Sequence, residues 1–301
     1  MLSLVLIFLA SLFFPGLIRR TRSILSGRKG PGIFQPVYDY LRLFRKGAVY
    51  SHTVTPIFKL APVVYFSSLL FAAFFVPLGS CKAILSFDGD FIVFACLLAL
   101  GKFFLILMAL DTGSSFEGMG ASREAMFSFL AEPAFFILIG SFALLTGHTS
   151  FYDIYSSFHF SGPVSYALAM LAGYVLLLLA AIENSRLPVD DPETHLELTM
   201  VHEVMILDNS GFDLGLIKYA GSLKFAVFGT LIANFFIGPS WPFYWLIPVF
   251  FFIQALSAIL IGCVESFGAR FRMSHNAQFI FTLTAVSLLI FFGVLLMPAS
   301  F

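Results

Sequence analysis

Of the 301 residues, 59% are hydrophobic and only 11% charged, far below the roughly 25% charged residues of a soluble globular domain. Seventeen basic and seventeen acidic side chains cancel, which argues against nucleic acid as a partner. Such a composition excludes a water-soluble enzyme and specifies an all-α, polytopic protein, one membrane domain over 1–301 embedded in the lipid bilayer.

Eight apolar segments reach the roughly 20 residues needed to cross a bilayer, near 1–18, 58–79, 90–110, 124–146, 163–183, 222–238, 243–265 and 277–297. Arg19, Arg20 and Arg22 follow the first segment, whereas a signal peptide carries its charge in front, so a retained helix is expected. Eight crossings from that start put loops 19–57, 111–123, 184–221 and 266–276 on one side. Of the seventeen basic residues, only Lys82 falls in a loop on the other. The basic side is therefore expected to be cytoplasmic, with both termini outside a cytoplasmic (inner) membrane.

In the first basic loop, Ile33, Phe34, Val37, Tyr40, Leu41 and Phe44 recur at helical spacing opposite Arg42, Arg45 and Lys46. The pattern predicts an interfacial amphipathic helix over about 33–47, either a surface anchor on anionic lipid or a platform for a partner. Further on, charges enter the spans, where an ionisable group costs about 2.5–3.5 kcal/mol and usually faces protein or water. Lys102 is the deepest. Glu124, Ser128 and Glu132 recur every four residues, a polar stripe running inward, with Glu132 expected to be buried and to exchange protons. Glu183 and Glu265 end spans five and seven, and Lys224 begins span six at the same level. Interhelical ion pairing, with nothing moving, is the plainer reading of each.

The stretch from Glu183 to Gly211 concentrates six carboxylates in its first twenty-one residues, Glu183, Asp190, Asp191, Glu193, Glu197 and Glu203. Asp191 and Pro192 read as N-cap and first helical residue, predicting a helix to about Leu207 with Glu193 and Glu197 opposite His195 and His202. Those histidines lack HExxH spacing, so no metal site is expected. Cys81, Cys96 and Cys263 lie far apart without a CxxC pair, which suggests neither an iron–sulfur cluster nor a zinc site. No Ser-His-Asp order, P-loop or GxGxxG cradle is present, so no cofactor and no catalytic residue are expected in this chain.

Three motifs carry a family resemblance: RKGPG and QP within Gly27–Val49, EGMGASREAMFSFLAEP over Glu117–Pro133, and the acid-rich stretch itself. Together they resemble the membrane subunit shared by respiratory complex I, where it is subunit 1 or H, and by group 4 nickel–iron hydrogenases and formate hydrogenlyases. The resemblance implies a non-catalytic subunit joining a peripheral redox arm to an ion-pumping membrane arm. Its partners would be hydrogenase-like large and small subunits, which hold the iron–sulfur clusters and the nickel–iron centre, and antiporter-like membrane subunits.

The expected ion path comprises Lys102, Glu124, Glu132, Glu183 and Lys224, the acids Asp190, Asp191, Glu193, Glu197 and Glu203, and Glu265, of which the resemblance matches Glu132, Glu183, Asp190, Glu193 and Glu197. Arg28, Lys29, Gln35, Arg123 and Arg186 would dock the redox arm. Where complex I reads PFDLPEAEAE this chain reads PVDDPETHLE, a departure pointing to the hydrogenase-type branch. A quinone-site subunit of a complex I-like NADH or ferredoxin dehydrogenase is the alternative, and a quinone-sized, apolar-lined cavity beside span one and the amphipathic helix would favour it. An autonomous ion transporter and a passive anchor are the remaining readings.

Overall fold

The computed structural model describes residues 1–79, 81–158, 162–191, 200–238 and 241–296. Among them are eleven helices and no strand: α1 (Leu2–Leu25), α2 (Gln35–Phe44), α3 (Pro56–Ala73), α4 (Asp90–Asp111), α5 (Ser115–Thr146), α6 (Phe151–Ser157), α7 (Pro163–Glu183), α8 (His202–Met205), α9 (Gly211–Phe236), α10 (Phe243–Phe267) and α11 (Met273–Leu296). Eight of these, α1, α3, α4, α5, α7, α9, α10 and α11, are long and apolar enough to cross a membrane. Spanning in alternation, they gather the segments after α1, α4, α7 and α10 at one end of the bundle, the basic end.

Apolarity alone misplaces some boundaries. α5 begins at Ser115 rather than 124, and α9 at Gly211 rather than 222; both first turns are polar yet remain helical because they pack against neighbouring segments. Gly120 of α5 is one reason, since a Cβ there would sit 2.8 Å from the Val201 carbonyl oxygen. Lys224 therefore stands in the middle of α9, not at its start. α3 stops at Ala73, after which Leu78 and Cys81 form an isolated bridge. The amphipathic helix spans only Gln35–Phe44, its Tyr40 buried and its Phe44 ring 5.5 Å from Phe212. The expected helix from Pro192 to Leu207 is not continuous: 192–199 lie outside the described residues, Met200 and Val201 are buried but not helical, and one turn runs from His202 to Met205.

α9 is the axis of the molecule, with 83% of its most apolar stretch buried, against 28% for α4 and α11 at the periphery. It packs on α1, α2, α3, α7 and α10. Close approach of α3 and α4 depends on Gly101, where a Cβ would meet Ser68 Oγ at 2.4 Å, and that contact seats the neighbouring Lys102. At the opposite end Asp90, fully buried, accepts from the Phe151 N–H (2.8 Å) and Ser150 Oγ (3.0 Å), capping α6 from across the bundle. Nearby, Asn234 Nδ2 donates to the Pro77 carbonyl (2.8 Å) while its Oδ1 accepts from the Gly79 N–H (3.0 Å).

Candidate functional site

α7 ends in a way that decides the site. Ser185, at φ +50°, occupies the left-handed position usually given to glycine. The Arg186 N–H bonds the Ala181 carbonyl (2.8 Å) and the Ser185 N–H bonds the Ile182 carbonyl (3.0 Å). This closure stops the helix at Glu183 and leaves its carbonyl free, as helix C-termini do. The Lys224 ammonium fills that vacancy, donating to the Glu183 carbonyl and to its Oε2 at 3.3 Å, favourable for a cation at the negative end of a helix.

Glu183 Oε1 in turn accepts from Lys102 Nζ at 2.8 Å, and Lys102 reaches Glu124 Oε1 at 3.3 Å. Four helices thus contribute one charge each to a line that alternates in sign, Glu124 (α5), Lys102 (α4), Glu183 (α7) and Lys224 (α9). Two acids and two bases leave it neutral. Tyr65 of α3 closes one side, its ring centroid 5.9 Å from Lys224 Nζ. With every charge paired, the line survives out of water, where an unpaired ion would cost several kcal/mol.

A cavity of about 270 Å³ opens beside this line. Its walls include Lys102, Glu183, Glu132, Ala131, Phe135 and Phe228. The polar stripe of α5 is present but bends outward: Glu124 and Ser128 are buried, whereas Glu132 is exposed, contrary to the expected burial. The reason is helical phase, because Ala131, Ala134 and Phe135 take the inward positions of that turn. Glu132 stands where the cavity meets the lateral surface of the bundle.

A second polar group occupies the basic end. Asp191 accepts from both Arg22 nitrogens (3.3 and 3.4 Å), and Glu265 accepts from Arg186 (3.1 Å) with Arg22 at 4.0 Å. Asp190 accepts from Arg270 (2.7 Å) and from the His202 N–H (3.1 Å). Burial pushes the Asp190 carboxyl above the ordinary carboxylate range, while the His202 N–H, Arg270 and the Asp191 N–H pull against that rise. These bonds tie the chain after α7 to α1, α8, α10 and the segment before α11. Asn276 adds another, from Nδ2 to the Val189 carbonyl at 3.0 Å.

Of the residues expected to dock a redox arm, Arg28, Lys29 and Gln35 are exposed, Gln35 bonding Asp39 at 3.0 Å. Arg123 and Arg186 are instead engaged within the chain, Arg123 donating to the Met200 carbonyl at 3.2 Å and Arg186 to Glu265. Glu203 is half-buried at the mouth of a second cavity. Glu193 and Glu197 lie outside the described residues. Sequence reasoning did not single out Arg22 and Arg270 as partners of the acid loop, nor Glu117, which is buried and accepts from the Asp208 N–H at 3.2 Å. Only the position of Glu117 within the EGMGASREA motif hinted at a role.

Residues 1–295 match the NADH dehydrogenase family. Hydrogenase-4 component C of Escherichia coli (strain K12) is 34% identical over 236 residues, 77% of this chain and 73% of that protein. Formate hydrogenlyase subunit 4 of the same organism is 31% identical over 224 residues, 74% and 71% of the two chains. The H subunit of the NADH-quinone oxidoreductase of Magnetococcus marinus is 26% identical over 251 residues, 80% of this chain and 68% of that protein. In fold, the chain is similar to one in the membrane-bound sulfane sulfur reductase, an archaeal respiratory membrane complex, with TM-score 0.82 and 21% identity over 97% and 98% of the two chains. Matched along nearly its whole length, and with two relatives above the level at which chance explains identity, this multi-pass membrane protein belongs to the NADH dehydrogenase family, that of complex I subunit 1 or H.

Proposed function

We infer that the chain anchors a redox arm and couples it to ion translocation in a hydrogenase-4 or formate hydrogenlyase-like complex. The observation that carries this reading is the paired line Glu124–Lys102–Glu183–Lys224 running into the cavity at Glu132. A neutral line of alternating charge responds to a proton gained or lost at one end by redistributing its pairs. Glu183 is also the residue from which the acid-rich loop departs, so the backbone that would face a redox arm continues into the line's central carboxylate. The basic end would be cytoplasmic, with Arg28, Lys29 and Gln35 meeting the redox arm and Arg123 and Arg186 holding the loop in shape.

In this reading the iron–sulfur clusters and the nickel–iron centre reside in hydrogenase-like large and small subunits, and protons or sodium ions leave toward antiporter-like subunits. Glu132 supports that last step, because a carboxyl on the lateral face of a spanning helix is costly against lipid and calls for a polar neighbour. The test is the whole complex in sealed proteoliposomes, comparing Glu183→Gln and Glu132→Gln with wild type. Hydrogen evolution should continue while ion uptake driven by it collapses; unchanged uptake in both variants would leave a passive anchor.

A quinone-site role is the second reading, favoured by one observation: a cavity of about 490 Å³ lies between α1, α2 and α9. Its lining tells against a neutral quinone, since five cationic and two anionic side chains border it, among them Arg42, Lys46, Lys218 and Glu203. Quinone-dependent turnover of the complex would decide for it.

A further inference from the structure

The charge in that cavity has no use in the coupling line. Five cations border it, Arg19, Arg42, Lys46, Arg186 and Lys218, against the two acids Asp39 and Glu203. Arg186 is committed to Glu265, and Arg19 is held loosely by Asp39 at 3.6 Å, both partners well exposed. Arg42, Lys46 and Lys218 pair with no carboxylate among the described residues. The lining also includes apolar side chains, all buried, Pro15 and Ile18 of α1 with Ile217 and Phe225 of α9. Beside them Asn184 Nδ2 donates to the Ala180 carbonyl (2.8 Å), and its Oδ1 is buried without a donor among the described residues.

Depth narrows the ligand further. α2 forms the roof of the cavity, and its outward side presents Tyr38 (65% exposed) and Leu41 (51%) next to Arg42. An amphipathic helix of this kind lies at the boundary between headgroups and acyl chains, so the cavity beneath it sits at the level of lipid phosphates. A site with an excess of cations at its mouth, apolar side chains in its lining and one acceptor in need of a donor suits an anionic phosphodiester that carries both a hydrocarbon tail and a hydroxyl.

We propose that the cavity between α1, α2 and α9 is a binding site for an anionic glycerophospholipid. Arg42, Lys46 and Lys218 hold its phosphate, a headgroup hydroxyl donates to Asn184, and the acyl chains leave toward the bilayer past the exposed Leu41. Phosphate is the group recognised, so a free phosphate ion is the competing source. The site is separate from the paired charges, and loss of coupling in Glu183→Gln would neither support nor weaken it.

The experiment is native mass spectrometry of the full chain in mixed micelles of neutral detergent with equal dioleoylphosphatidylglycerol and dioleoylphosphatidylcholine. One phosphatidylglycerol should be retained in preference to phosphatidylcholine. With each surface cation worth about fivefold in binding an anionic lipid, Arg42→Gln/Lys218→Gln should weaken retention by on the order of twentyfold. Arg42→Lys/Lys218→Arg should restore it, and Arg45→Gln, at the C-cap of α2 but outside the cavity, should change nothing. Release of the lipid by millimolar inorganic phosphate would support phosphate recognition and assign the source to the free ion. Equal retention of both lipids, or a double variant that binds like wild type, would overturn the proposal, as would displacement by decylubiquinone that is indifferent to the same substitutions.

Discussion

At Lys102 a single ammonium serves two carboxylates, Glu183 at 2.8 Å and Glu124 at 3.3 Å. Removing it strands Glu124 entirely, whereas Glu183 keeps Lys224. Breaking a buried pair by deleting one partner costs about 3–5 kcal/mol, so Lys102→Met should lower the thermal midpoint in detergent sharply. Lys102→Met/Glu124→Gln should recover much of the loss, because only the intact Glu183–Lys224 pair then remains charged; no recovery would mean that Glu124 was never the stranded group. A second residue-scale effect concerns pH. Tyr50 donates to Asp213 Oδ2 at 2.7 Å, and that bond, with burial and the nearby negative charge, raises the phenol from its usual 10 to about 12. A raised value means that the contribution is present below the unfolded value and lost as pH rises through the folded one. The link between the first basic loop and α9 should therefore hold to pH 10 and fail near 12. In phenolate absorbance, Tyr50→Phe should remove one tyrosine from those that titrate late, and the loss should fall near pH 12.

Among the elements, the segment after α7 was the least legible in the sequence. Its acids were visible as a cluster, but not their partners: Arg22 is 169 positions from Asp191, and Arg270 is 80 from Asp190. No local pattern reports such distances. The end of α7 was equally hidden, since the position that closes it is Ser185 and not a glycine. α5 is the instructive contrast. Its polar stripe was read correctly by spacing as far as Ser128, yet Glu132 emerges at the surface because spacing gives the face and not how far the packing wraps around it. The starts of α5 and α9 were missed since hydropathy marks what suits lipid, while helices continue wherever neighbours support them. Gly120 offers a test at this scale. A Cβ added there meets the backbone oxygen of Val201 at 2.8 Å, which cannot swing aside as a side chain would, so Gly120→Ala should displace the loop at a cost of about 1–3 kcal/mol. Faster proteolysis between α7 and α9, with the rest of the chain intact, is the expected result.

For the whole molecule, the class, the eight spanning helices and their alternation were all legible, because hydrophobic length and the placement of lysine and arginine are global properties that single errors of boundary do not disturb. Sidedness is the remaining inference from that bias, and it is directly testable. In a background lacking Cys81, Cys96 and Cys263, cysteines introduced at the exposed positions Ser26 and Ser274 should react with an impermeant maleimide only in inside-out vesicles. A cysteine at Lys82 should react only in right-side-out vesicles, and the reverse pattern would invert the molecule in the membrane.

α9 is fastened at both extremities, by Asp213 to Tyr50 at one and by Asn234 to Pro77 and Gly79 at the other. A rod clamped in this manner does not slide along its own length. When the attraction between Lys224 and Glu183 changes, the helix is left with rotation or bowing about its fixed tips as its cheap responses. Either motion would swing Ser222 relative to Tyr40 of α2, to which it is hydrogen bonded. A proton arriving mid-height would thereby register as torque on the helix lying at the membrane face, a mechanical signal that needs no displacement of the loop at all.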